Sequence, residues 1–250
     1  MENSRFLFIA KEAALEAGTA IMQVYGSTDF AVEYKTDRSP LTIADTSAHE
    51  IIKNKLLVTG IPILSEEGKL IPFTERRYWS NFWMVDPLDG TKEFINRNKE
   101  FTVNIALIKN DKPLFGVVYA PALELLYWNE PGGAAWRQNN GPAAQIHTHR
   151  NERVQSIVAS KSHLSKETEE YIEQYPQAEL RTIGSSLKFM LIAEGKADCY
   201  PRFGPTMEWD TAAAHAIVEA AGGKVTQHDS DEPLYYNKET LLNPWFIVRA

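Results

Sequence analysis

The sequence has one cysteine in 250 residues, Cys199, which excludes an internal disulfide and a thiolate metal cluster. That usage fits a reducing compartment and leaves Cys199 as buried filler. Long apolar runs are missing too. Charge-free stretches such as Ala17–Thr28 extend about a dozen residues, short of the ~20 that span a bilayer. Met1–Gly18 interrupts its apolar residues with Glu2, Arg5, Lys11, Glu12 and Glu16, so it lacks a signal-peptide core and reads as mature protein. Positive charge is in deficit, 26 Lys+Arg against 33 Asp+Glu for a net −7, so no basic field exists to hold nucleic acid. There is no Asn-x-Ser/Thr sequon, no Gly-x-Gly-x-x-Gly, no P-loop and no Gly-x-Ser-x-Gly elbow. Ser185-Ser-Leu-Lys188 has the Ser-x-x-Lys spacing of an acylating serine but no Lys-Thr-Gly or Ser-Asp-Asn partner. His147-Thr-His149 offers two imidazoles in a polar loop, an incidental pair. These absences describe a cytoplasmic protein without a transmembrane segment, and they remove the usual anchors of dinucleotide, nucleoside-triphosphate and serine-hydrolase chemistry.

What is present suffices for a folded core: 44% hydrophobic and 24% charged residues. Phe6, Ile9, Ala13, Ala17, Ile21 and Val24 recur at helical spacing after a capping Asn3 or Ser4 and stop at Gly26, predicting an amphipathic helix. A second helix is predicted from about Thr46 to Val58. Short β-type runs follow at 61–64, 82–85, 101–108, 114–119, 125–128 and 134–137. They are separated by turn-forming segments such as Pro131-Gly-Gly133, which predicts an antiparallel meander behind two helices. After about Ile146 strands and helices alternate: strands at 156–159, 180–183 and 198–201, helices at 166–175, 186–196 and 210–221. The expectation is an α+β half over 1–150 followed by an α/β half over 151–250 that completes the site, in layered sheets and helices.

The most informative stretch is Trp83-Met-Val-Asp-Pro-Leu-Asp-Gly-Thr91. An apolar run delivers the chain to Asp86, and Pro87 removes a backbone donor, so the strand is expected to end there. Gly90 permits the backbone to curl beneath Asp86 and Asp89, which turns two acids toward one small volume. Such carboxylates repel unless protons or cations come between them. Oxygen donors alone, with the Leu88 carbonyl among them, suit Mg²⁺ or Mn²⁺ rather than Zn²⁺. A surface Asp-Pro-x-Asp-Gly turn is the competing reading. Two further acid sites decide between them: Glu66 and Glu67, delivered by Ile61–Ser65 to Gly68, and Asp210, which opens a helix in Glu208-Trp-Asp210, where a plain N-cap is the alternative.

Asp86-Pro-Leu-Asp-Gly-Thr91, Glu66-Glu67 and Trp209-Asp-Thr-Ala-Ala213 followed by Ala221-Gly-Gly223 resemble the signatures of the inositol monophosphatase superfamily of metal-dependent phosphatases. Glu100–Ile108, Ile183–Phe189 and Tyr200-Pro-Arg-Phe-Gly-Pro205 are similar to its bacterial branch acting on 3′(2′),5′-bisphosphate nucleotides. The resemblance spans the chain and implies a layered αβαβα sandwich of the inositol monophosphatase/fructose-1,6-bisphosphatase type. It implies that Glu67, Asp86 and the Leu88 carbonyl bind one Mg²⁺, that Asp86, Asp89 and Asp210 bind a second, and that a third, looser ion shares Glu67. It pairs Asp45 with Thr91 to orient and deprotonate the attacking water, the alternative for Asp45 being a helix N-cap. Gly90 and Thr91 would offer backbone N–H groups to the phosphate. The second phosphate of a bisphosphate falls to Lys188, Arg202, Ser185 and the pair Ser162-His163, although Lys188 sits on a helix that reads as partly exposed. Glu208 departs from the pattern, where an apolar residue is expected. An extra carboxylate there would alter metal affinity or substrate fit.

The implied activity is removal of the 3′-phosphate from adenosine 3′,5′-bisphosphate, giving AMP and phosphate, within sulfur metabolism and with inhibition by Li⁺. An inositol monophosphatase shares every metal ligand and is the nearest alternative; a non-catalytic protein that binds metal and phosphorylated ligand is the alternative from another class. The sequence leaves a monomer and a homodimer both open, and the resemblance to bacterial relatives extends to peripheral contact with the cytoplasmic face of the inner membrane.

Overall fold

The computed structural model describes residues 2–27, 33–34, 40–160 and 164–250. Helix α1 (Glu2–Tyr25) starts before the expected caps, so Asn3 and Ser4 lie inside it. It buries a stripe of small residues, Ala10, Ala13, Ala14, Ala17 and Gly18, with Ile21 below them. A Cβ on Gly18 would collide with the Tyr119 ring, so glycine is what admits that contact. Strands β1 (Glu33–Tyr34) and β2 (Pro40–Leu41) form a small antiparallel ladder. Helix α2 (Ile43–Leu57) begins three residues earlier than its sequence pattern predicts. Its capping box uses Thr42 and Asp45, which moves Asp45 from the cap to the third helical position.

Seven strands then form one sheet. They are β3 (Ile63–Ser65), β4 (Asn81–Asp89), β5 (Thr102–Lys109), β6 (Lys112–Ala120), β7 (Leu125–Asn129), β8 (Ala135–Gln138) and β9 (Ala144–Ile146), ordered along the sheet as in the chain. All neighbours are antiparallel except β3 and β4, which run parallel and so depart from a pure meander. Short helices α3 (Phe73–Arg76) and α4 (Thr91–Ile95) flank β4. The later chain adds β10 (Ser156–Ala159), α5 (Lys166–Ile172), β11 (Glu179–Thr182), α6 (Leu187–Ala193), β12 (Cys199–Arg202), α7 (Glu208–Ala220), β13 (Lys224–Gln227) and β14 (Phe246–Arg249). These five strands pair in the order β11-β10-β12-β14-β13. Strand β9 and the last two strands carry no clear sequence signal.

Alternation along the strands shows how the layers stack. On β4 and β5, Trp83, Val85, Val103, Ile105 and Leu107 pack toward α1 and α2, whereas Phe82, Met84, Ala106 and Ile108 join a core with α6 and α7. On the second sheet Val158, Tyr200, Phe246 and Val248 enter that same middle core, and Ile157, Cys199 and Ile247 face α5 on the outside. The layers are therefore α1 and α2, the seven-stranded sheet, α6 and α7, the five-stranded sheet, and α5, the αβαβα sandwich expected. Helix α7 reaches the first sheet because Gly116 has no side chain: a Cβ there would lie inside the Ala213 backbone.

Candidate active site

Strand β4 does not stop at Asp86. It continues to Asp89 through a bulge, with Asp86 opposite Asn104 and Asp89 opposite Thr102. Three steps on one strand are matched by two on its neighbour. In a regular strand residues three apart face opposite sides, and the extra residue cancels that reversal. Asp86 and Asp89 therefore share a face with Thr102 and Asn104, directed at α6 and α7. Pro87, unable to donate to a ladder, sits inside the irregularity where no donor is required. Gly90 follows at φ 88°, in the left-handed region, and caps α4 so that Thr91 is its first residue.

Among the described residues, Glu66, Asp86 and Asp210 place one carboxylate oxygen each within 4.8 Å of one another. Neither Glu67 nor Asp89, both expected as metal ligands, belongs to this group, whereas Glu66 does. The Glu66 N–H extends the β3–β4 ladder to Val85 O, and Glu66 and Glu67 form the two central residues of a turn closed by the Gly68 N–H to Ser65 O. Consecutive residues there diverge, so only Glu66 reaches the cluster. Asp210 is also not an N-cap. It occupies the third position of α7, where its Oδ2 accepts the Met207 N–H at 2.8 Å.

Burial, followed by repulsion from Glu66, Asp89 and Asp210, holds the Asp86 carboxyl well above its usual range, against one favourable hydrogen bond from the Leu88 N–H. The same causes, burial and then Asp89 and Glu66, raise Asp210. Asp89 is kept in place by Oδ2, which accepts from Ser185 Oγ at 2.6 Å, Ser186 N at 2.8 Å and Ser186 Oγ at 3.2 Å. Ser186 also donates to the Asp210 carbonyl and accepts from Asn104 Nδ2. Ser185 Oγ meets Thr102 Oγ1 as well, with Ser185 itself at φ 54°. Sequence reasoning missed Thr102, Asn104 and Ser186; the signal would have been the bulge, which turns Thr102 and Asn104 to the face of the two aspartates.

On the helix side, Asp45 is buried. Its Oδ2 accepts the Thr42 N–H and hydroxyl at 2.8 and 2.6 Å, and its Oδ1 lies 3.2 Å from Thr91 Oγ1, which is also 3.3 Å from the Leu88 carbonyl. Asp45 is therefore not the N-cap but its capping-box partner at the third helical position, with one oxygen on Thr42 and the other beside Thr91.

A cavity of about 310 Å³ is lined by Glu66, Asp86, Asp89, Thr91 and Asp210 and also by Lys188 and Arg202. Lys188 is buried, not partly exposed. Its Nζ donates to the Ser185 carbonyl at 2.7 Å, and burial lowers its pKa to about 8. Arg202 anchors one guanidinium nitrogen on the Pro205 carbonyl at 2.8 Å. Ser162 and His163 lie outside the described residues, next to Ser160, which lines the cavity. Glu208 does not line it: the carboxylate is wholly buried against Asn237 and Lys238, so it is not a member of the cluster.

A hard divalent cation fits this donor set. All the donors are oxygens, they come from three separate segments, and two of the carboxyls are held in an unfavourable state by burial and by each other. Five-layer architecture and acidic cluster together define a phosphatase fold, and the chain belongs to the inositol monophosphatase family, matched over residues 2–246. Within that family it is similar to the 3′(2′),5′-bisphosphate nucleotidase CysQ of Escherichia coli strain K12, 50% identical over 243 residues, 95% of this chain and 96% of that protein. The crystal structure of CysQ from Bacteroides thetaiotaomicron superposes with a TM-score of 0.87 at 48% identity, covering 97% of this chain and 96% of that one. An IMPase of Thermotoga maritima, 26% identical, gives 0.81 over 98% and 92%. No helix among the described residues is long and apolar enough to cross a membrane.

Proposed function

We propose that this protein is a Mg²⁺-dependent phosphatase that removes the 3′-phosphate of adenosine 3′,5′-bisphosphate, giving AMP and phosphate. One observation carries the reading: the oxygen-only cluster of Glu66, Asp86 and Asp210 shares a cavity with Thr91, whose hydroxyl meets Asp45 behind it, and with the cations of Lys188 and Arg202. The similarity to two CysQ proteins near 50% identity supports the nucleotide over an inositol phosphate.

Glu66, Asp86 and the Leu88 carbonyl would hold one Mg²⁺, and Asp86, Asp89 and Asp210 a second. When bound, such ions neutralise the phosphoryl oxygens and make a neighbouring water more acidic. The remaining work falls to the chain. Thr91 Oγ1, with its proton directed to Asp45 Oδ1, keeps lone pairs for the attacking water and can take its proton while Asp45 compensates. Water oxygen bonds to phosphorus as the bond to O3′ breaks, and a proton returns to O3′. Lys188 and Arg202 suit the second phosphate: both are cations lining the same cavity, and the Ser185 and Pro205 carbonyls fix their positions. Ser185 itself is committed to Asp89, which makes it a support for that carboxylate as much as a phosphate contact.

Phosphate release from adenosine 3′,5′-bisphosphate and inositol 1-phosphate, measured in parallel with Mg²⁺, with EDTA and with added Li⁺, tests the proposal. The expected result is Mg²⁺-dependent turnover preferring the nucleotide and inhibited by Li⁺. Preference for inositol phosphate would keep the cluster and discard the second-phosphate pocket, and release from neither would leave a binding protein.

A further inference from the structure

Glu208 is a wholly buried acidic side chain two residues before Asp210. Its Oε2 accepts the Asn237 N–H at 2.6 Å, its Oε1 accepts the Lys238 N–H at 3.0 Å, and Lys238 Nζ stands 2.6 Å from Oε1. Buried Arg76 from α3 closes the other side, donating to Asn237 Oδ1 at 2.9 Å and to the Glu239 carbonyl at 2.8 Å, while Asn237 Nδ2 returns a bond to the Arg76 carbonyl. Asn237 holds φ 71°, the left-handed region that asparagine adopts more readily than other residues with a side chain. The segment after it is tied to the same turn: the Glu208 N–H donates to Leu241 O, and Asn243 Nδ2 donates to the Met207 carbonyl and to Thr211 Oγ1.

An ordinary helix start needs only its own cap. Here Asp210, at the third position of α7, already ties the turn by accepting the Met207 N–H, and the Glu208 carboxylate bonds nothing within the helix itself: its partners are the Asn237 and Lys238 N–H groups and the Lys238 ammonium. A buried ion pair is also a weak source of stability, because desolvation offsets most of the attraction. What the network does supply is a fixed point. Glu208, first in the helix, is clamped to 237–238, and Asp210, third in the helix, projects into the acidic cluster.

We propose that Glu208 is a positioning residue: through Asn237, Lys238 and Arg76 it fixes the first turn of α7 and so sets where the Asp210 carboxylate stands and how tightly the cluster binds a divalent cation. This rests on the reading of Glu66, Asp86 and Asp210 as a cation site. Glu208→Gln keeps the size and one acceptor but loses the ion pair; Lys238→Gln removes the pair from the other side, at a side chain that is 10% exposed.

The test is calorimetric titration of the EDTA-treated full-length protein with Mn²⁺ at 25 °C, with circular dichroism to establish folding and with Asp210→Asn as reference. Both variants are expected to be folded and to bind Mn²⁺ at least fivefold more weakly. The Mg²⁺ concentration for half-maximal turnover should rise in parallel while kcat at saturating Mg²⁺ stays within about twofold of wild type. A merely structural role would lower the melting temperature and leave the affinity of the folded protein alone. If Glu208→Gln does not fold, Lys238→Gln decides. A folded variant with wild-type Mn²⁺ affinity overturns the proposal, provided Asp210→Asn has lost binding. Wild-type affinity in Asp210→Asn would instead overturn the cation site, and the inference with it.

Discussion

Asp86→Asn should make the metal-free protein more stable while abolishing its response to Mg²⁺. Asp86 is 1% exposed and keeps one hydrogen bond, from the Leu88 N–H, which an asparagine oxygen preserves at the same size. Its charge has no compensating cation in the cluster, only Glu66 and Asp210 with oxygens within 4.8 Å and Asp89 nearby. At that separation and an effective dielectric constant of about 20, each ionised pair costs about 3 kcal/mol. Protonation caps the penalty: at pH 7, neutralising a carboxyl whose ordinary pKa is 3.8 costs about 4 kcal/mol. The substitution should therefore recover about 2 kcal/mol in EDTA, which for a chain of this size raises Tm by about 4–8 °C. The assay is a thermal melt of wild type and variant in EDTA and in 5–10 mM Mg²⁺, with phosphate release alongside. A fall in the EDTA Tm with turnover retained would refute the reasoning and make Asp86 an ordinary structural turn residue.

Other consequences can be checked the same way. The folded protein holds Asp86 and Asp210 protonated at a pH where the unfolded chain has lost those protons, so metal-free stability falls as pH rises through the raised folded values. Cations displace those protons, and the Tm gain from Mg²⁺ should therefore grow between pH 5 and pH 8; a gain independent of pH would exclude this linkage. Thr91→Val should lower kcat by at least 10²-fold with little change in Tm, whereas Thr91→Ser should restore much of it; equal activity of all three would remove Thr91 from the chemistry. Lys188→Met should raise KM for the bisphosphate more than for a monophosphate. Because the unfolded amine binds a proton that the folded one releases above about pH 8, wild-type stability should also gain on the variant as pH rises from 8 toward 10.5. Gly116→Ala should cost about 1–3 kcal/mol in a denaturant melt, since its Cβ has nowhere to go but into the α7 backbone at Ala213; no loss would mean that α7 and β6 are less tightly packed.

Local chemistry and periodicity determined much of this protein from sequence alone. The alternation in 82–85 and 101–108 specified buried strands with two apolar faces, and Asp86-Pro-Leu-Asp-Gly-Thr91 brought two carboxylates to the end of an apolar strand, because these depend on residues a few positions apart. Tertiary structure decided what depends on register and direction. Only the ladder to Val85 selects Glu66 over Glu67, since neighbouring turn residues point apart whichever is the ligand. Only the bulge against Thr102 and Asn104 carries β4 beyond Asp86 and turns both aspartates the same way. Burial of Lys188 depended on a second sheet closing over α6, which amphipathic spacing within one helix cannot reveal. The fate of Glu208 depended on a loop thirty residues further along the chain that brought two backbone N–H groups and an ammonium to meet its carboxylate. Partners distant in sequence are chosen by packing, and packing is not written in any short stretch of chain.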